Sequence, residues 1–324
     1  MSIIRLSSLP GINKRVSMRI AIMGTGGVGA VFGARLAHAG ADVTFVARGK
    51  HKEAIVADGL QIKSAERGDL LIKPCRVVSA FEQEQPFDFI FVTVKLWDTE
   101  AAIETIRPVV GENTTVVSFQ NGISRDELLQ AAFGAHRVMG GISYVGATIS
   151  APGLIEQKGT VQKLVFGEYD GTISERALSL KAALEKADIE AVVATDILSC
   201  LWQKFVVLVA MSSLTASVRQ PIGPVRSNPK TRELLQRVME EVVAVATASG
   251  VNLPADLVSD RMAYLDGLAP DVTASMEYDL RVGNRLELPW LAGTVVALGK
   301  KLAVATPVSN TLCAILDPYV NGRS

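Results

Sequence analysis

The chain has 324 residues, long for a single core and in keeping with two domains. Its 33 basic residues balance 33 acidic ones, so no bulk charge draws it to nucleic acid or to an anionic membrane. Cys75, Cys200 and Cys313 are odd in number, far apart and without CxxC spacing, which argues against a disulfide framework or a zinc site and for a reducing, cytoplasmic setting.

Residues 1–17 carry positive charge and no acid, and they lack the apolar core and cleavage site of a signal peptide. They read as a loosely ordered N-terminal extension, with a transit peptide as the alternative. Met18 to Met23 is a short β-branched run that predicts a strand. Gly24, Thr25, Gly26, Gly27, Val28 and Gly29 follow it, and a helical pattern then runs from Ala30 to a stop at Gly40. A glycine-rich turn between strand and helix is what binding a dinucleotide requires. The first glycine permits the tight turn, the second lets the backbone approach the pyrophosphate, and the third lets helix and strand pack closely. All six turn residues are therefore candidate cofactor contacts.

The next predicted strand, Asp42 to Ala47, says which dinucleotide. An acid placed after it, roughly 20 positions beyond the first glycine, would accept from a ribose 2′-hydroxyl. Arg48, Lys50 and His51 stand there instead. Cations favour a 2′-phosphate, so NADP(H) is expected, with Arg48 as the main contact. Phe87–Val94 and Asn113–Phe119 read as further buried strands, with a helix between them to about Ile106. Alternating strand and helix patterns imply a parallel sheet covered on both faces. Between Met139 and Glu168, glycine pairs separate short β-type runs and suggest hairpins that extend or flank the sheet.

Beyond about residue 172 the patterns are helical: 174–187, 198–216, 231–249, 271–283, 289–303 and 309–319. The expected fold is thus α/β: a Rossmann-type dinucleotide-binding domain over 18–195, then an all-helical domain over 196–324 with the active site in the cleft between them. No apolar stretch looks long enough to span a bilayer; the longest, Phe205–Met211, reads as a buried core helix.

Reducing a carbonyl with a nicotinamide needs a proton donor. All three histidines (His38, His51, His136) lie in the nucleotide half, so a donor from the helical half must be Lys, Tyr, Glu or Asp. Lys204 stands among apolar neighbours, Leu201-Trp202-Gln203-Lys204-Phe205-Val206. Desolvation there would lower its pKa and suit it to general-acid work; a lysine snorkelling to solvent is an equal alternative on spacing alone. Ser212 falls on the same face eight residues on. Glu287 is either a site carboxylate or a helix-dipole partner.

With these residues in view, the chain from Met18 onward resembles the ketopantoate reductase (2-dehydropantoate 2-reductase) family. The resemblance rests on the glycine turn, Val92-Thr-Val-Lys95-Leu-Trp97, Gln120-Asn121-Gly122, Leu201-Trp-Gln-Lys204, Ser275-Met276 with Asp279, and Glu287. It implies NADPH-dependent reduction of the 2-keto group of ketopantoate to pantoate, toward pantothenate and coenzyme A. It further implies that Lys204 is the general acid and that Lys95 and Asn121 contact cofactor or substrate. Ser275 and Glu287 would hold the substrate, and Arg48 would take the 2′-phosphate. Two departures stand out: Leu208 and Ser212 occupy positions where family members carry substrate-gripping asparagines, and Pro289 replaces an acid. They leave open another branched or bulkier 2-keto acid, a 3-hydroxy acid, or an NADP(H)-sensing protein without turnover. A homodimer also stays open.

Overall fold

In the computed structural model, residues 17–82 and 84–323 are described; the expected N-terminal extension, residues 1–17, lies outside them but for Ser17. The N-terminal half runs β1 (Arg19–Met23), α1 (Gly27–His38), β2 (Asp42–Val46), α2 (Gly49–Asp58), β3 (Leu60–Lys63), β4 (Leu70–Ile72), β5 (Val77–Val78), β6 (Phe89–Val92), α3 (Thr99–Ile106), β7 (Thr115–Ser118), α4 (Arg125–Phe133), β8 (Val138–Ala151), β9 (Leu154–Gly167), α5 (Glu175–Lys186) and β10 (Glu190–Val193). Six neighbouring strands, in the order β5-β2-β1-β6-β7-β8, are parallel. Side-chain alternation along β1 divides its residues between two cores. Ile20 and Ile22 join the cluster around α1, while Ala21 and Met23 join the one around Phe87, Ile90 and Ile106 on the opposite face.

The chain goes from β1 out to β2 and later returns on the other side of β1 to form β6. This reversal opens a crevice at the carboxyl ends of β1 and β6, the usual ligand position in such sheets. The glycine-rich region 139–168 forms one long antiparallel hairpin, β8–β9, with bulges after Val145 and Ile149. The start of β9 pairs with β3 and its end with β10, so both additions extend the sheet. β3, β8 and β9 all lie against α1, which encloses that helix.

The helical half comprises α6 (Ile197–Val218), α7 (Ile222–Ser227), α8 (Pro229–Ala248), α9 (Leu257–Gly267), α10 (Ser275–Val282), α11 (Ala292–Leu302) and α12 (Pro307–Leu316). α6 is its axis and packs on α8, α10 and α12. The expectation that no apolar segment reaches membrane length is corrected here. α6 has 22 residues and is long and apolar enough to cross a bilayer by length and composition, but most of it is buried inside this bundle. Asp196 caps it, accepting from Ser199 N at 2.9 Å. Its first turns do not belong to the bundle alone: Ile197 and Leu201 pack with Ile142, Val165 and Ala194 of the sheet half. That seam fixes how α6 enters the cleft.

Candidate active site

At the glycine turn the structure separates residues that face the crevice from residues that build it. Gly24 sits at φ +106°, a conformation closed to side chains, and a Cβ on Gly29 would lie 2.2 Å from Gly24 O. Gly26 has open space around it, as approach by a phosphate requires. No side chain caps α1 and no acid stands in its first turn, so its leading amides and positive dipole end point at that space. A pyrophosphate fits there. Val28 is half-buried against the α1 core.

Two turn residues do other work. Thr25 is buried; its hydroxyl and its amide both donate to Val46 O, at 2.9 and 3.1 Å. Its expected contact with the cofactor is therefore corrected: the side chain ties the turn to β2, because a buried hydroxyl must find a partner. Gly27 owes its identity to the hairpin, since a Cβ there would overlap Ala147 O at 2.2 Å.

Arg48 is exposed at the end of β2, where α2 begins, and Lys50 is exposed beside it. His51 is not a free cation. Its Nδ1 accepts from Gly153 N at 3.0 Å, so Nε2 carries the hydrogen and donates to Thr25 O at 2.8 Å. The neutral ring thus links the hairpin turn to the glycine turn.

On the other side of the crevice, Thr93 donates to Gly24 O at 2.6 Å, and the chain then delivers Lys95 into the cleft. Lys95 Nζ lies 2.9 Å from Asp279 Oδ2 and 3.5 Å from Glu287 Oε2. Burial opposes its charge, but the two carboxylates outweigh burial and raise its pKa. Glu287, 6% exposed, also accepts from Leu96 N at 3.1 Å. Both of its oxygens are therefore engaged across the domain seam. Beside this pairing, the Arg285 guanidinium packs over both the Trp97 and Trp290 rings, 4.9 and 5.6 Å from their centroids.

Lys204 reaches the same cleft from α6. Its Nζ donates to Asn121 Oδ1 at 3.1 Å and to Ser143 O at 2.9 Å, and lies 5.4 Å from the Tyr144 ring centroid. Neither acceptor is charged. Burial lowers its pKa to about 7; Arg125 adds to the effect and Glu287 opposes it. A small pocket opens at the lysine, lined by Asn121, Ile142, Leu201, Phe205 and Leu208 among others. Leu208 therefore does face the site.

The expected place of Ser212 is corrected. It is fully buried and does not line this pocket, because eight residues carry it about 12 Å along the helix axis, into the bundle. Ser275 is the exposed first residue of α10, the helix that also carries Asp279. The structure thus brings together Lys95, Asn121, Lys204, Asp279 and Glu287 from both halves, leaves Ser275 at the edge and removes Ser212. Sequence reasoning missed Arg125, Ser143 and Tyr144, whose approach to Lys204 depends on how β8 and α4 pack beneath α6.

Comparisons with known proteins identify the family. One family model, "Ketopantoate reductase PanE/ApbA", matches residues 20–171, and its C-terminal counterpart matches residues 196–320. A 2-dehydropantoate 2-reductase of Archaeoglobus fulgidus is 32% identical over 304 residues, covering 94% of this chain and 98% of that protein. An uncharacterized oxidoreductase of Bacillus subtilis, YkpB, is 29% identical over 302 residues, covering 93% and 99%. The crystal structure of 2-dehydropantoate 2-reductase from Geobacter metallireducens superposes with a TM-score of 0.86 at 30% identity, covering 93% of this chain and 99% of the other. With its two halves matched in order, this chain belongs to the ketopantoate reductase family, oxidoreductases that act on CH–OH donors.

Proposed function

We propose that the protein is an NADPH-dependent 2-keto acid reductase, with the conversion of ketopantoate to pantoate as the leading reaction. The observation that carries this reading is Lys204: an ammonium with a depressed pKa, held by two neutral oxygens at the end of the crevice that fits the dinucleotide. A bound NADPH supplies the hydride for C2 of the substrate. Lys204 gives its proton to the carbonyl oxygen as negative charge develops there, and it is reprotonated from solvent. Asn121 holds Nζ in line and is placed to contact substrate or cofactor. Lys95 and Glu287 present charge and acceptor groups at the seam, and Ser275 at its edge completes the substrate contacts. Arg48 takes the 2′-phosphate, with the glycine turn holding the pyrophosphate. The same reading takes 18–195 as the nucleotide domain and 196–324 as the catalytic domain, and places the enzyme in a reducing cytoplasm, with Cys75, Cys200 and Cys313 all free.

A second reading, a 2-keto acid with a plain branched or bulkier side chain, is favoured by Leu208 together with Ile142, Leu201 and Phe205 in the pocket wall. A leucine offers no partner to a substrate hydroxyl, and leaving such a group unpaired changes specificity by orders of magnitude. A kcat/KM panel of hydroxylated and plain 2-keto acids with NADPH and NADH decides between them. Arg48→Glu should weaken NADPH about 100-fold and leave NADH nearly unchanged; equal losses sink the cofactor assignment. Tight NADPH binding without turnover on any 2-keto acid would identify a sensor instead.

A further inference from the structure

Arg125 is the most deeply buried charged side chain near the cleft, 2% exposed, and it stands in the first turn of α4. Both features need a cause. A cation opposes the positive end of the helix dipole, and burying a guanidinium is costly unless its donors are met. Here they are met by neutral groups: Nε donates to Ser118 Oγ at 2.9 Å, one terminal nitrogen to Gly122 O, and the other to Gly141 O at 2.6 Å. The nearest acid, Asp126, lies 3.7 Å away. Asp126 is itself buried, and burial raises its pKa against the lowering influence of Arg125 and the Tyr169 hydroxyl, so it is a weak counter-charge.

The carbonyls that Arg125 grips flank the two groups that hold Lys204. Gly122 follows Asn121, and Gly141 lies two residues before Ser143 on β8. Arg125 and Lys204 line one pocket. The other ionisable groups near the lysine are the Tyr144 ring on β8, Glu287 at the seam with Lys95 and Asp279 behind it, and Cys200 one turn earlier on α6. Among these, Arg125 bears a charge that no accessible pH removes.

Building on the reading of Lys204 as proton donor, we propose that Arg125 is a positioning residue for it: Arg125 ties the Asn121 loop to β8 and sets a permanent positive charge against the ammonium, which favours delivery of the proton to the substrate oxygen. A neutral side chain could make similar hydrogen bonds without burying a charge. What the guanidinium adds is its field, stronger in this enclosed pocket than in water.

The test is the pH profile of kcat/KM for the intact enzyme with NADPH and its best 2-keto acid. The wild-type profile should fall on the alkaline side near pH 7, where Lys204 would lose its proton. In Arg125→Gln that limb should move up by about one pH unit, because the repulsion is gone. Arg125→Lys, which keeps the charge but not the fork, should hold the limb within roughly 0.3 unit while lowering Tm. If Arg125→Gln fails to fold, Arg125→His replaces it, since its ring is neutral above about pH 7 and still donates a hydrogen bond. A folded neutral variant whose limb coincides with wild type overturns the proposal, even if kcat drops. The underlying reading fails separately, if Lys204→Ala retains the wild-type alkaline limb.

Discussion

Lys95 and Lys204 enter one cleft from opposite halves of the molecule and end in opposite electrostatic states. Both are partly buried, and burial works to lower both pKa values. Lys95 meets the carboxylates of Asp279 and Glu287, and its pKa rises. Lys204 meets an amide oxygen and a backbone carbonyl, with Arg125 nearby, and its pKa falls to about 7. Desolvation alone therefore does not decide what a buried lysine does. The counter-charge decides, and it separates a lysine that holds the domains together from one able to give up a proton near neutral pH.

The sharpest way to break this contrast is to remove the labile lysine. Lys204→Ala should lower kcat by about 10³-fold with a much smaller change in KM, because proton donation is made in the transition state. Steady-state NADPH oxidation measures it, and a variant that keeps most of its kcat removes Lys204 from the chemistry. Glu287→Gln should act on both lysines at once. It takes one carboxylate from Lys95 and removes the negative charge that raises the pKa of Lys204. We expect kcat/KM to fall by about 10- to 100-fold and the alkaline limb to move to lower pH; a limb moving upward would contradict the electrostatic account.

The smallest effect is on stability. With its native pKa below the unfolded value, Lys204 costs the folded state most below about pH 7, where it is charged in both states. The cost is relieved as pH rises from there toward the ordinary lysine range. Lys204→Met should therefore stabilise the fold by on the order of 2 kcal/mol at pH 6, after allowance for partial exposure, and by less at pH 9. Thermal or urea unfolding at the two pH values tests it. A gain that is larger at pH 9 would show that Lys204 is not held against its charge.

Much of the architecture was legible because its signals are local. The glycine turn, the β-branched runs of β1, β2, β6 and β7, and the helical periods of α1, α5, α6 and α8 all lie within a few turns of chain. The helix predicted over 271–283 begins only at Ser275, because Ala274 is extended and the preceding Thr273 turns its hydroxyl to Glu277. β3, β4 and β10 escaped notice: they are three or four residues long, β3 and β10 gain their partners from the distant hairpin, and β4 pairs on β3. Arg125 in a polar run, Arg125-Asp126-Glu127, reads as a solvated helix start. Only the closing of β8 over that start buries it. Thr25 and His51 looked like ligand groups for the opposite reason, because spacing shows proximity to the turn and not the direction in which a side chain points.

The sequence by itself determined that a glycine turn of the dinucleotide-binding kind, Gly24–Gly29, follows the first strand of a parallel sheet, that a helical half follows, and that Lys204 and Glu287 are candidate site residues. Backbone turns, strand alternation and helix period are properties of neighbouring residues, so they can be read from the chain in order. The tertiary structure decided which lysine is paired with carboxylates, which is pressed by a buried guanidinium, that Leu208 faces the pocket and that Ser212 does not. Those outcomes depend on dielectric surroundings and counter-charges supplied by residues as far apart as Lys95, Arg125 and Glu287, which folding alone brings together.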